Sequence, residues 1–349
     1  FEGWEEYGGT TAKVIQIHYA KQGYYEYDFK AMPADVLGTV YENYLGYKLS
    51  QSKKGVEVHK DAKKRKEQGI YYTPHFIVEY IVKNALGPVL EKCQTIEDVK
   101  KIKVLDPACG SGSFLVQALE FINEKYKKMG APGNIFTKVQ ILLENIYGVD
   151  LDEQAVEIAR LNLLVNVLDG KYKFPPLDQN IKNGNSLISG TDEELIKYFG
   201  KNYREKKPFN WEEEFPEVLK QGGFDVVIGN PPYIQSRNLN DEERHFYWDK
   251  YLTDTNHSDI YSFFVEKSIS ILKNQGVLSF ITPNTWLQIP SFKSIRKKIF
   301  DESKILKILT FDIDAKIFGD AQVSNIVFVI QKEISKSVSI SNYIDIEKS

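Results

Sequence analysis

Four consecutive residues, Asn230-Pro231-Pro232-Tyr233, combine two hydrogen-bond acceptors with a flat ring. That combination suits one kind of chemistry. An amino group on a heteroaromatic ring is a poor nucleophile because its lone pair is delocalised into the ring. Acceptors on both of its N–H bonds, here the Asn230 side-chain carbonyl and the Pro231 main-chain carbonyl, favour a pyramidal nitrogen whose lone pair faces an electrophile. Pro231 and Pro232 fix φ and donate no backbone hydrogen bond, so they hold the chain rigid with its carbonyls outward. Tyr233 can stack on the ring, an interaction worth about 1–3 kcal/mol per base. Asn-Pro is also an ordinary turn signal, so the motif gains meaning from following an apolar strand, Phe224 to Gly229.

Two earlier segments could hold the electrophile. In KVLDPACGSGSFLVQALEFI a strand ends at Asp106, and Ala108, Gly110 and Gly112 lie in a Gly-rich turn that opens a helix. The glycines let the backbone turn sharply and approach a ligand. The crevice beyond the strand's C-terminal end suits a nucleotide-like molecule, although a tight strand-to-helix connection would look the same. The turn does not match the dinucleotide G-x-G-x-x-G pattern. In YGVDLDEQAVEIARLNLL, Asp150 ends the next strand, where a carboxylate can accept from both ribose hydroxyls. The structural alternative is that Asp150 or Asp152 caps the following helix. Cys109 is assigned no nucleophilic role, because direct transfer needs only proximity and alignment.

These residues require a frame. From Lys101 onward, short β-branched runs alternate with helical patterns, which predicts an α/β fold with a doubly wound, mostly parallel sheet. Strands are expected at 102–106, 146–150, 224–229, 277–282, 305–311 and 326–331. Residues 1–95 form a smaller helical N-terminal region and 96–349 the main domain. Val36, Val40, Tyr41, Tyr44 and Leu45 fall at helical spacing over 35–47. Residues 171–223 read as a long irregular insertion, and loops of that length are usually functional. Tyr24, Tyr25, Tyr27 and Phe29 are read as core, and the run Lys60, Lys63, Lys64, Arg65, Lys66 as a solvated face.

Together, DPACGSG, the strand-end Asp150 and NPPY resemble the amino-methyltransferases that use S-adenosylmethionine. The wider pattern is similar to the gamma-class N6-adenine DNA methyltransferases of restriction-modification systems, which implies a seven-stranded sheet with a further strand ahead of Asn185. GIYYTPHFIVEYIV resembles their motif X, and its place ahead of the cofactor loop and NPPY matches the gamma order. The resemblance implies a site-specific enzyme that methylates a flipped adenine, with Asn230, Pro231, Pro232 and Tyr233 as the catalytic set. It implies that Thr73 lies near the methionine end of the cofactor. It also implies that Asn185 and Ser186 contact the cofactor adenine, although many relatives carry Asp in place of Asn185. Phe264 would pack on that adenine opposite Leu151, although core packing would also explain Phe264. Phe318 would form a sandwich with Tyr233 around the flipped base.

The chain resembles the methyltransferase part of fused restriction-and-modification enzymes, so double-stranded DNA is the implied partner. A target-recognition region, and a nuclease domain where one is fused, would lie outside these 349 residues or on a separate subunit. The first residue is Phe1 with no basic-then-apolar leader, which reads as a piece of a longer cytoplasmic protein. No apolar run is long enough for a membrane span. Two cysteines and five scattered histidines give no zinc spacing, so no metal is expected. A net charge of −3 does not advertise a polyanion partner, so any DNA contact must be local or supplied elsewhere. Two other readings remain. One is a protein glutamine-amide methyltransferase, a class that shares NPPY; the other is a non-catalytic DNA-binding subunit. Cytosine N4 methylation is disfavoured, because that class carries Ser or Thr where Asn230 stands.

Overall fold

The computed structural model describes residues 14–19, 23–28, 47–52, 55–60, 73–167, 176–252, 259–311, 324–333 and 346–348. The N-terminal region, expected as helical, contributes two antiparallel hairpins and one helix in its described parts. The hairpins pair β1 (Val14–Tyr19) with β2 (Gly23–Asp28), and β3 (Tyr47–Ser52) with β4 (Gly55–Lys60). Tyr24, Tyr25 and Tyr27 therefore lie on a strand. Phe29, nearly all of the helix expected over 35–47 and the basic run beyond Lys60 lie outside the described residues.

The main sheet runs through β5 (Val104–Asp106), β6 (Ile146–Asp150), β7 (Ile181–Asn183), β8 (Phe224–Gly229), β9 (Leu272–Pro283), β10 (Ser303–Phe311) and β11 (Asn325–Lys332). An eighth short strand, β12 (Ile346–Lys348), joins one edge beside β10. The spatial order is β12-β10-β11-β9-β8-β5-β6-β7. All pairings are parallel except those of β11 with β10 and β9, so the expected seven-stranded, mostly parallel sheet is present. The chain enters at β5, builds outward to β7, then returns to place β8 on the other side of β5. Connections that diverge from neighbouring strands leave a crevice beyond their C-terminal ends.

Both faces of the sheet are covered, as strand alternation requires. Val226 and Ile228 of β8 bury on one face with the helices His75–Glu91, Ser113–Lys128 and Glu153–Val167. Val227 turns to the other, with the helices Asp241–Lys250 and Ile260–Ile271. Leu278 and Phe280 alternate with Val277 and Ile281 along β9 in the same way. The helix His75–Glu91 lies across β8 and β9, which brings its first turn to the end of β8.

The stretch 171–223 is more ordered than its composition suggests. Residues 168–175 lie outside the described set, but β7, the helix Asp192–Phe199, a 3-10 segment Gly200–Lys206 and the short helices Trp211–Glu214 and Pro216–Lys220 fill the rest. Phe209, Trp211 and Phe215 are buried against one another and against Phe224. Each buried aromatic removes a large apolar area from water, about 1.5–3 kcal/mol for a Phe. That anchors a segment whose elements are too short to show a period. Among the described residues no helix is long and apolar enough to cross a membrane.

Candidate active site

The Gly-rich turn leaves β5 at Asp106 and enters the helix Ser113–Lys128. Gly110 (φ +51°) and Gly112 (φ +84°) both adopt left-handed backbone, which glycine reaches without a Cβ penalty. At Gly112 a Cβ would also come within 3.1 Å of the Ala159 Cβ, because the turn presses on the helix that follows β6. The Cys109 N–H donates to the Val149 carbonyl (3.0 Å), and the Gly110 N–H to Asp150 Oδ2 (2.8 Å). The two candidate cofactor segments are thus tied together directly. Cys109 is buried, and burial pushes its thiol well above the usual range, which suits packing rather than nucleophilic attack.

Two carboxyls meet in this turn in different states. Asp106 is 1% exposed. Its Oδ1 accepts from the Ala108 N–H (3.1 Å), while its Oδ2 is enclosed with no partner. Burial pushes its pKa up to about 8, opposed by the Ala108 hydrogen bond and aided by the charge of Asp150. Gly229 (φ +150°) backs onto it so closely that a Cβ there would lie 2.6 Å from Oδ1. Asp150 is partly exposed, and desolvation raises it only to about 6, because the Asp152 and Gly110 N–H groups (both 2.8 Å) stabilise its ionised form. The capping alternative therefore holds for Asp152, whose Oδ1 accepts from the Gln154 N–H (2.9 Å). Asp150 braces the Gly-rich turn and keeps further lone pairs for a ligand.

A third wall comes from the segment after β7. The Ser186 hydroxyl donates to the Pro107 carbonyl (2.6 Å), and the Trp211 indole N–H donates to the Ser186 carbonyl (3.1 Å). Asn185 donates its N–H to the Lys207 carbonyl (2.7 Å), caps the Leu187 N–H (3.0 Å) and shares a side-chain hydrogen bond with Tyr247. Lys207 holds φ +50° and reaches the Leu151 carbonyl with Nζ (3.3 Å); the Asn183 amide reaches the same carbonyl (3.0 Å). Lys207, Asn183 and Trp211 escaped sequence reasoning, because neither their types nor their spacing marks a role. Leu151 is 53% exposed, whereas Phe264 is buried in the core of its face, so packing accounts for Phe264 as it stands.

The NPPY segment follows β8 at once, one residue beyond the glycine that backs onto Asp106. The Asn230 amide nitrogen donates to the Thr73 hydroxyl (3.0 Å), and Asn230 Oδ1 is enclosed without a partner. The Tyr233 hydroxyl donates to the Ile281 carbonyl of β9 (3.2 Å), and its ring meets Tyr261 edge-on (6.3 Å, 80°). Tyr261 in turn stacks on Phe292 (5.7 Å, 13°) and hydrogen-bonds the Thr285 hydroxyl (2.9 Å). The Ile260 N–H donates to the Ile234 carbonyl (2.8 Å), fastening the chain beyond the motif to the helix Ile260–Ile271. The fold thus gathers Thr73, Asp106, Ala108, Gly110, Asp150, Ser186 and Asn230 around the ends of β5, β6 and β8, while Phe318 lies outside the described residues.

The family model described as Eco57I restriction-modification methylase matches residues 144–318, about half of the chain. A second, described as RMKL-like, methyltransferase domain, matches residues 97–186. The Escherichia coli protein named Type II restriction enzyme and methyltransferase RM.Eco57I is 28% identical over 351 residues, covering 92% of this chain and 34% of that protein. Type II methyltransferase M.BstVI of Geobacillus stearothermophilus is 27% identical over 279 residues, covering 80% of this chain and 45% of that protein. This chain therefore spans between about a third and a half of these curated relatives. Among solved structures, the type IIL restriction-modification enzyme MmeI in complex with DNA shares the fold, with a TM-score of 0.57 at 18% identity over 79% of this chain and 39% of that one.

Proposed function

This chain belongs to the Eco57I restriction-modification methylase family, and from that premise we propose that it is the part of a site-specific DNA methyltransferase that binds S-adenosylmethionine and methylates N6 of a flipped adenine. One observation carries the reading. Two enclosed polar atoms without partners, Asp106 Oδ2 and Asn230 Oδ1, flank Gly229 at the crevice between β5 and β8. Buried polar atoms are rarely left unpaired, so such a pair fits a place where ligands complete the hydrogen bonding.

The residues present fit the cofactor. The enclosed acid of Asp106 suits its cationic amino-acid end, Asp150 suits its ribose hydroxyls, and the left-handed glycines let backbone approach it. When bound, S-adenosylmethionine supplies an electrophilic methyl group on a sulfonium. Asn230 Oδ1 and the Pro231 carbonyl then hold the two N–H bonds of the adenine amino group, restoring lone-pair density on its nitrogen. Tyr233, fixed at its hydroxyl by β9 and at its ring by Tyr261, offers the stacking face for a base taken out of the duplex. The arrangement works by proximity and alignment, which can contribute roughly 7–11 kcal/mol of a barrier. The partner in this reading is double-stranded DNA, whose sequence is read by a recognition region outside these residues or on a separate subunit.

The test is to incubate the full-length protein with labelled S-adenosylmethionine, duplex DNA and release-factor protein, and to digest the products. Label in N6-methyladenine is the expected result. Label in the protein alone would favour glutamine-amide transfer, and no label in either would favour a non-catalytic subunit.

A further inference from the structure

We propose that Lys207 is a positioning residue for the adenosine end of the cofactor, holding the loop after β6 and the loop after β7 at a fixed separation. The proposal rests on the reading above that S-adenosylmethionine occupies the crevice beside Asp150. Lys207 touches both loops at once. Its main-chain carbonyl accepts from the Asn185 N–H (2.7 Å), and its Nζ donates to the Leu151 carbonyl (3.3 Å). A backbone N–H and an ammonium only donate, and a carbonyl only accepts, so neither contact can run the other way. Leu151 directly follows Asp150, and it is 53% exposed. Where its carbonyl is held therefore sets where the carboxylate offered to the ribose and this apolar side chain stand.

The backbone at Lys207 gives one residue this double reach. It holds φ +50° and ψ +53°, left-handed values uncommon for a residue with a Cβ, and it precedes Pro208, where extended backbone is preferred. Such a conformation persists only where the surroundings over-determine it, and it clusters at functional sites. Here the surroundings are a strap, residues 207–211, hydrogen-bonded along residues 185–190. The Phe209 N–H donates to the Ile188 carbonyl (2.7 Å), the Gly190 N–H to Asn210 Oδ1 (2.9 Å) and the Trp211 indole N–H to the Ser186 carbonyl (3.1 Å). The Ser186 hydroxyl then donates to the Pro107 carbonyl, so the strap is tied to the Gly-rich turn as well. Lys207 itself is half-buried. The Asn183 amide shares the Leu151 carbonyl (3.0 Å), so loss of the ammonium should loosen that loop rather than release it.

The experiment uses the full-length protein and its Lys207→Met, Lys207→Arg and Lys207→Gly variants. It measures Kd for S-adenosylmethionine and for S-adenosylhomocysteine by titration calorimetry, the melting temperature without ligand, and kcat on unmethylated genomic DNA at saturating cofactor. Lys207→Met should weaken both ligands about five- to twentyfold with kcat within about twofold. Lys207→Arg keeps a charged donor of similar reach and should recover most of the affinity. Lys207→Gly separates positioning from stability. Glycine takes left-handed backbone freely, so the melting temperature should hold or rise while both Kd values weaken as in Lys207→Met. Parent-like Kd in Lys207→Met or Lys207→Gly would overturn the proposal. So would a loss of affinity only in variants that melt early, a loss confined to kcat, or a Lys207→Arg variant as weak as Lys207→Met. Failure of the parent to bind S-adenosylmethionine would instead remove the underlying reading, and this proposal with it.

Discussion

Replacing Asp106 by Asn should abolish a proton release that accompanies cofactor binding, and the surroundings of the carboxyl set its size. Asp106 is 1% exposed and has one oxygen without a partner, and burial, which penalises its charged form, pushes its pKa up to about 8. At pH 7 a group of that pKa is roughly nine-tenths protonated. A cationic ligand arriving beside it favours the ionised form, so binding should expel roughly 0.9 proton, offset by roughly 0.1–0.2 proton taken up by the ligand's own α-amine. Asp150, near 6, is mostly ionised at pH 7 and adds little. The assay is titration calorimetry of S-adenosylmethionine into the intact protein at pH 7, in phosphate and in Tris, whose ionisation enthalpies differ widely. The binding enthalpy of the parent should shift clearly between buffers, whereas that of Asp106→Asn should shift only slightly and in the opposite sense, from the α-amine alone. An enthalpy equal in both buffers for the parent, or an equal shift in the variant, would refute the reasoning. The same raised pKa has a stability consequence of definite sign. Because the folded value lies above the unfolded one, stability without ligand should fall as pH rises from about 4 towards 8. Asp106→Asn should flatten that fall, by an amount with an upper limit on the order of 5 kcal/mol.

Gly229→Ala places a Cβ 2.6 Å from Asp106 Oδ1 at φ +150°, and should destabilise the protein by roughly 2–4 kcal/mol in denaturant unfolding. Parent-like stability would mean that this backbone is not held as described. Asp150→Ala removes the acceptor bracing the Gly110 N–H, and should weaken cofactor binding at least about tenfold by calorimetry; equal affinity would end the cofactor assignment. Tyr233→Phe loses the hydrogen bond to the Ile281 carbonyl but keeps the ring, whereas Tyr233→Ala loses both. On transfer to DNA the Phe variant should retain most of the rate and the Ala variant should lose about 5- to 150-fold, the value of one stacked base.

Much of the site could be read from local chemistry. Gly110 and Gly112 signalled a sharp turn, and the unbroken apolar run Val226-Val227-Ile228 signalled a strand, which the fold buries on both faces. Both are properties of a few neighbouring residues, which is why they survive in the sequence. β7 has three residues and shows no period, and the helices between Asp192 and Lys220 are short, so that stretch read as loop. The hydrogen bond of Ser186 to Pro107 and the reach of Lys207 to Leu151 span 79 and 56 positions, and no pattern along the chain announces them.

For Asn230 to Tyr233, the sequence by itself determined the chemistry on offer: two acceptors, a rigid backbone and a ring, set at the end of an apolar strand. Only the tertiary structure decided how those groups are held. The return of β8 to the side of β5 puts Gly229 against Asp106, and the helix His75–Glu91 lying across β8 and β9 puts Thr73 on the Asn230 amide. The reason is physical. Residue types and local spacing fix what a group can donate, accept or stack upon, whereas its partner is chosen by sheet order and helix packing, which bring together residues far apart along the chain.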